Sequence, residues 1–300
     1  MIYTITLNPS LDYVMQLDHL ALSDINRSNK EATYPGGKGI NVSLVLNTLH
    51  VPNKALGFIA GFTGSEIERV LKRLGTNTDF IMLDHGFSRI NVKLEANTET
   101  EVNGMGPKVT PGDLKELYTK LEEIEDGDFL VLAGSIPNGI PDSIYQDIIK
   151  ELSHKNIHII VDARKNLLLN VLKYKPFLIK PNQNELAELF DTVIETSEDV
   201  IYYAHKLQEM GAQNILISRG NKGAILLTHT GEILKRATPE GTVINSVGSG
   251  DSMVAGFIAG YLKTKNFEKA LKLAIATGSA TAFSPWLASR DMIDDLLCLQ

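Results

Sequence analysis

The 300-residue sequence predicts an α/β protein with a mainly parallel central sheet, helices on both faces and a small β-sheet lid. Three observations carry that reading. Short runs rich in Ile, Val, Leu or Phe alternate with longer helical patterns almost throughout. Each run is bounded by Gly, Pro, Asn or Asp, as strands are. Two polar stretches, 11–35 and 87–106, break the alternation and hold too few apolar residues for a core of their own.

Taken in order, residues 2–7 alternate polar with apolar and lack basic residues, which predicts a strand and not a signal peptide. The polar excursion 11–35 follows, and a glycine cluster then opens a helix at 38–50. A strand at 54–60 and a helix at 64–74 come next. Ser88 to Glu95, a turn at Ala96-Asn97-Thr98 and Glu99 to Asn103 read as a hairpin. Beyond it the spacing predicts helices at 112–124, 142–154, 183–190, 197–210, 250–263 and 267–283. Strands are predicted at 128–133, 157–162, 176–180, 213–218 and 223–228. Alternation of this kind argues for βαβ units, whose ligands bind beyond the carboxyl ends of the strands. No linker or repeat divides the chain, so residues 1–300 are expected to form one domain with a lid.

Composition narrows the function. A net charge of −7 gives no electrostatic footprint for nucleic acid or an acidic membrane. No stretch reaches the roughly 18 apolar residues of a membrane helix. Cys298 is the single cysteine, which excludes an internal disulfide and a cysteine-based zinc site and fits a reducing cytoplasm.

The most informative motif is Asn245-Ser246-Val247-Gly248-Ser249-Gly250-Asp251-Ser252, which runs into an apolar helix. Gly248, Ser249 and Gly250 allow a sharp turn and close approach of a ligand, and a helix N-terminus favours an anion. Asp251 in that first turn reads as a helix cap or as a base for a hydroxyl that attacks a phosphoryl group. A second cluster, Pro35-Gly36-Gly37-Lys38-Gly39-Ile40-Asn41, also opens a helix but is neither a Walker A loop nor a dinucleotide fingerprint. Asp12, after the first strand, reads as a turn former or a sugar-hydroxyl partner. Arg89, Asn91 and Lys93 share one strand face, which is a solvent face or a ligand face. Arg27, Lys38 and Arg89 together would cradle a phosphate ester, with Asn103 at the end of the paired strand. Gly134 and Ser135 end a buried strand at the ligand edge. In Lys180-Pro181-Asn182-Gln183-Asn184-Glu185, Asn182 and Glu185 resemble a capping box. The same two side chains could also place oxygens, through water, near Mg²⁺ on nucleotide phosphates. Ser218 to Gly223 reads as a hairpin or a wrap around an adenosine.

These motifs, in this order along nearly the whole chain, resemble the ribokinase-like carbohydrate kinases, also called the phosphofructokinase B family. The carriers are Gly36-Gly37-Lys38-Gly39-Ile40-Asn41-Val42 and Asn245-Ser246-Val247-Gly248-Ser249-Gly250-Asp251-Ser252. The resemblance implies a three-layer α/β/α sandwich with a β-lid over the sugar. It implies Asp251 as base and Gly248, Ser249 and Gly250 as an anion hole. Lys180, Asn182, Ser218, Gly220, Gly223 and Gly250 would meet ATP, and Asn182 with Glu185 would organise Mg²⁺. Asp12, Arg27, Gly37, Lys38, Asn41, Arg89 and Asn103 would meet the sugar phosphate. Within the family, Thr6 to Tyr13, Asn26-Arg27-Ser28, Arg89 to Leu94 and Gly278 to Ser284 point to phosphorylation of fructose 1-phosphate to fructose 1,6-bisphosphate. Tagatose 6-phosphate or another hexose phosphate is the alternative, and a homodimer through the lid is the family's analogy. Ser249 stands where the family often has alanine, Arg219 where it often has leucine, and Asp162-Ala163-Arg164 replaces a smaller turn. Two readings from other classes compete: a sugar-phosphate-binding regulator without catalysis, and a nucleotide-binding oxidoreductase. The presence of Asp251 argues against the first and the missing dinucleotide fingerprint against the second.

Overall fold

The computed structural model describes residues 1–298. The chain runs β1 (Ile2–Thr6), β2 (Ser10–Gln16), β3 (Lys30–Gly36), α1 (Lys38–Thr48), β4 (Asn53–Ala60), α2 (Gly61–Arg73), β5 (Asn77–Thr78), β6 (Ile81–Leu83), β7 (Arg89–Glu95) and β8 (Glu99–Asn103). It continues α3 (Pro111–Leu121), β9 (Phe129–Ala133), α4 (Ile144–Glu151), β10 (His158–Asp162), α5 (Lys165–Leu172), β11 (Leu178–Ile179), α6 (Gln183–Leu189) and α7 (Ser197–Glu209). It closes with β12 (Asn214–Ser218), β13 (Ala224–Leu227), β14 (Ile233–Arg236), α8 (Ser249–Thr264), α9 (Phe267–Ala282) and α10 (Arg290–Cys298).

The central sheet has the order β14-β13-β12-β11-β10-β9-β1-β4-β5, with β6 also on β4. Its pairs are parallel from β12 to β5, and the antiparallel pairs are those of β13 with β12 and with β14. Both faces are buried because side chains alternate along each strand. In β9, Leu130 and Leu132 join a core with Leu117, Ile148, Leu168 and Leu207 of the α3–α7 layer. Phe129, Val131 and Ala133 face the opposite way, against Val45, Val254, Phe257 and Ala274 of α1, α8 and α9. Each fully buried Phe, Ile or Val contributes roughly 1.5–3 kcal/mol. Helices α8 and α9 lie close because a Cβ on Gly256 would overlap Thr277 Oγ1.

The lid is a separate sheet of order β3-β2-β7-β8. β2 lies antiparallel to β3, with Ser10 opposite Gly36 at the body end and Gln16 opposite Lys30 at the far end. β7 runs parallel to β2, pairing Ser10 with Arg89 and Asp12 with Asn91, and β8 sets Asn103 beside Asn91. Tyr34 of β3 stacks on Trp286, beyond α9, with ring centroids 4.9 Å apart.

Every predicted strand and helix is present, with boundaries moved by a few residues. Predicted helix 142–154 becomes α4 plus a 3₁₀ turn, Leu152–His154. Helices α5 and α10 and strands β5, β6 and β14 were not anticipated. α5 opens on Arg164-Lys165 with no cap bond, so it lacks a start signal, yet it buries Leu168, Val171 and Leu172. α10 is short and acidic and docks through Ile293 and Leu296, with Met292 and Leu297 packed beside them. β14 is an edge strand with no buried residue.

Candidate active site

A cavity of about 1630 Å³ opens where the carboxyl ends of the central strands meet the lid. The chain leaves β1 for β4 on one side and continues through β9 to β10, β11 and β12 on the other. That reversal beside β1 leaves a crevice with no crossover above it.

The floor is the start of α8. Gly248 has φ 81°, and a Cβ there would lie 2.8 Å from Leu287 Cδ2, so the turn requires glycine. Ser249 N–H donates to Ser246 O at 3.2 Å and Ser252 N–H to Gly248 O at 2.8 Å. The N–H groups of Gly250 and Asp251 find no acceptor among the described residues. They lie at the positive end of a 16-residue helix, an arrangement suited to an anion.

Asp251 is 6% exposed, and Asn41 Nδ2 donates to its Oδ2 at 2.8 Å. Asn41 lies in the first turn of α1, so two helix starts converge on this carboxylate. Burial, and then the charge of Asp162, push the Asp251 carboxyl up to about 6, against the pull of Lys38, Asn41 and Lys180.

Asp162 ends β10 and is also buried. It holds Lys38 Nζ at 2.7 Å and Lys180 Nζ at 3.4 Å. Burial opposes its ionisation, but Lys180 and Lys38 outweigh that and keep its carboxyl below the usual range. Burial would likewise lower the Lys38 ammonium, and Asp162 and Asp251 raise it instead. A Cβ on Gly250 would sit 3.0 Å from Lys180 Nζ, which sets that ammonium against the anion-binding turn.

The lid supplies the opposite wall. Asp12 accepts from Ser10 Oγ at 2.6 Å and Asn91 Nδ2 at 2.9 Å and pairs with Lys93 at 3.0 Å. Arg89 Nε donates to Asn8 O at 3.1 Å, and the described residues offer its terminal nitrogens no acceptor. Burial lowers its pKa, with Asp12 opposing. A phosphate dianion placed there would relieve that cost.

On the far side, Asn182 caps α6. Its side chain accepts from Glu185 N–H at 2.8 Å while Glu185 Oε2 accepts from Asn182 N–H at 2.9 Å. Asn182 also bridges to Ser218 at the end of β12. Glu185 Oε1 lies 3.2 Å from Arg164 Nε. The turn after Ser218 needs Gly220 and Gly223 at φ 57° and 81°. Arg219 points its guanidinium at Gln183 and Ser197, at 3.1 and 2.8 Å, and fastens this turn to α6 and α7.

The pfkB family of carbohydrate kinases matches residues 5–289. The chain is 42% identical to a 1-phosphofructokinase of Bacillus subtilis over 99% of this chain and 97% of that protein. It is 37% identical to a D-tagatose-1-phosphate kinase of Bacillus licheniformis, covering 98% and 96%. The crystal structure of Escherichia coli phosphofructokinase-2 with substrates and products superposes with a TM-score of 0.94 at 25% identity, covering 99% and 98%. The chain belongs to the pfkB family of carbohydrate kinases. Its sandwich and lid are the ribokinase-like fold.

In this carbohydrate kinase the cavity gathers nearly all of the residues singled out from sequence: Asp12, Gly37, Lys38, Asn41, Arg89, Asn103, Lys180, Asn182, Glu185, Ser218, Gly220, Gly223 and Gly248 to Asp251. Arg27 is the exception. It is exposed on the loop between β2 and β3, at the far end of the lid, and does not line the cavity. A seven-residue strand at about 3.3 Å per residue separates that end from Gly36. Lys38 lines the cavity with its ammonium paired to Asp162 at 2.7 Å. Sequence reasoning undervalued Asp162, whose place at the end of a buried strand was the available signal. The polar face of Arg89, Asn91 and Lys93 turns to the cavity, not to solvent.

Asn182 and Glu185 fit a Mg²⁺ held through water. They offer two oxygen-bearing side chains, and among the described residues no cluster of three His, Cys, Asp or Glu could cage the ion. Mg²⁺ commonly keeps several waters and binds through one or two carboxylates plus substrate phosphates. No helix among the described residues is long and apolar enough to cross a membrane.

Proposed function

We propose that this kinase transfers the γ-phosphoryl group of ATP to the C6 hydroxyl of fructose 1-phosphate, giving fructose 1,6-bisphosphate and ADP. The observation that carries the proposal is the buried Asp251 carboxylate beside two unsatisfied N–H groups, facing a lid wall that carries Arg89 and Lys93. The substrate follows from the name of the B. subtilis relative. The sugar lies along Asp12, Gly37, Asn41 and Asn103, with its existing phosphate on Arg89 and Lys93. Arg27, at the far end of the lid, does not line this cavity.

The C6 oxygen attacks the γ-phosphorus, the bond to the β-phosphate oxygen breaks, and Asp251 Oδ2 takes the hydroxyl proton. Asn41 holds that oxygen in place. The N–H groups of Gly250 and Asp251, with Lys180 beside them, receive the charge spread over the transferred group. Mg²⁺ near Asn182 and Glu185 supplies charge neutralisation on the phosphates when bound. Ser218 to Gly223 borders the adenosine. A positioned base contributes roughly 10²–10⁴-fold. Closure of the lid excludes water, which limits hydrolysis of ATP.

The B. licheniformis relative favours a second reading, D-tagatose 1-phosphate, in place of tagatose 6-phosphate. An ADP-release assay across fructose 1-phosphate, tagatose 1-phosphate, fructose 6-phosphate, tagatose 6-phosphate and fructose tests both. Highest kcat/KM on fructose 1-phosphate supports the first reading, and preference for any 6-phosphate removes both. The exposed lid residues Leu22, Ile25 and Val102 support a homodimer joined through the lids. A cytoplasmic enzyme fits the single cysteine, Cys298.

A further inference from the structure

Arg164 follows β10 at the ligand edge of the sheet and lines the cavity, with its side chain 75% exposed. Its described hydrogen bond is from Nε to Glu185 Oε1, at 3.2 Å. The described residues offer its two terminal nitrogens no acceptor, so the fork of the guanidinium is unused. Arg164 and Lys165 also open α5, which has no side-chain cap and no acid in its first turn. Among the described residues, each of these cations has a single carboxylate in reach, Glu185 for Arg164 and Glu188 for Lys165 at 3.7 Å, and at the positive end of a helix an added anion stabilises both.

We propose that Arg164 grips the β-phosphate of the bound nucleotide, exchanging Glu185 for phosphate when the nucleotide arrives. This rests on the nucleotide reading of the site given above. Glu185 Oε2 is fixed by Asn182 N–H, so Oε1 is the oxygen that changes partner. The γ-phosphoryl group is assigned to the turn at Gly248 to Asp251, so the phosphate beside Glu185 is the next one out. The sugar phosphate is already met by Arg89 and Lys93 on the lid, whereas Arg164 touches α6, whose cap bridges to β12. A guanidinium fork binds two phosphate oxygens at once, which lysine cannot do.

The test is calorimetric binding of Mg·ADP, AMP and fructose 1-phosphate to the full chain, each alone, for the wild type, Arg164→Ala and Arg164→Lys. The loss of the fork is expected to weaken Mg·ADP on the order of ten-fold in Arg164→Ala, with AMP changed by less than about two-fold. Arg164→Lys should recover only part of that loss. The unliganded Tm of Arg164→Ala should stay close to that of the wild type, since the variant loses an exposed ion pair with Glu185 and also removes a cation from a helix N-terminus. Unchanged Mg·ADP affinity in Arg164→Ala, an equal loss for AMP and ADP, or a loss confined to fructose 1-phosphate overturns the assignment while leaving the kinase reading intact. A wild type that binds no Mg·ADP overturns both.

Discussion

At Asp251, burial and a neighbouring anion push one way while two lysines and an amide push the other. Burial prevails, and the carboxyl lies at about 6, within reach of neutral pH. A base is useful only when deprotonated, so kcat/KM should be low below that value, rise through about 6 and level above it. A pH–rate profile in the free-enzyme regime checks this, and a flat profile between pH 5 and 7 would remove Asp251 as the base. Asp251→Asn keeps the shape of the turn and removes the proton acceptor. It should lower kcat by at least ~10²-fold with folding and nucleotide binding retained. A variant that kept more than about a tenth of the wild-type rate could not have lost a base of that size.

The elements supply the places from which such residues act. The start of α8 depends on Gly248, where alanine would combine a left-handed backbone with a side chain 2.8 Å from Leu287. Gly248→Ala should lose roughly 1–3 kcal/mol of stability in a urea titration and lower kcat as well. In the lid, Arg89→Ala should raise KM for the sugar phosphate at least ~10-fold and leave KM for ATP nearly unchanged. Equal effects on both would detach Arg89 from the sugar. Much of this was readable in the sequence because strong patterns mark it: glycines at helix starts, alternation in β7, apolar strands ending in polar turns. Asp162 was less readable, because its importance comes from Lys38 and Lys180, which reach it from 124 residues before in the chain and from the end of a neighbouring strand. Arg27 was misplaced for the converse reason. Residue type suggests a phosphate partner, but only the register of β2 and β3 reveals that the loop between them lies at the far end of the lid. α5 escaped notice because its electrostatics oppose a helix start and burial of its leucines overrides them.

At the scale of the whole molecule, two walls enclose one cavity: a rigid sheet edge and a separate lid. A sugar without its phosphate forfeits the contacts with Arg89 and Lys93 and the closure they favour. For fructose 1-phosphate, kcat/KM should exceed that for free fructose by at least ~10³, about 4 kcal/mol. Comparable efficiencies would mean that the lid does not read the phosphate. The stack of Tyr34 on Trp286 is the point where lid and body touch through aromatic rings. Trp286 is also the chain's only tryptophan. Its emission therefore comes from a single indole with one face against the moving wall. Any swing of the lid unstacks or restacks that face, so the enzyme carries an optical gauge of its own closure, readable in stopped flow without a label.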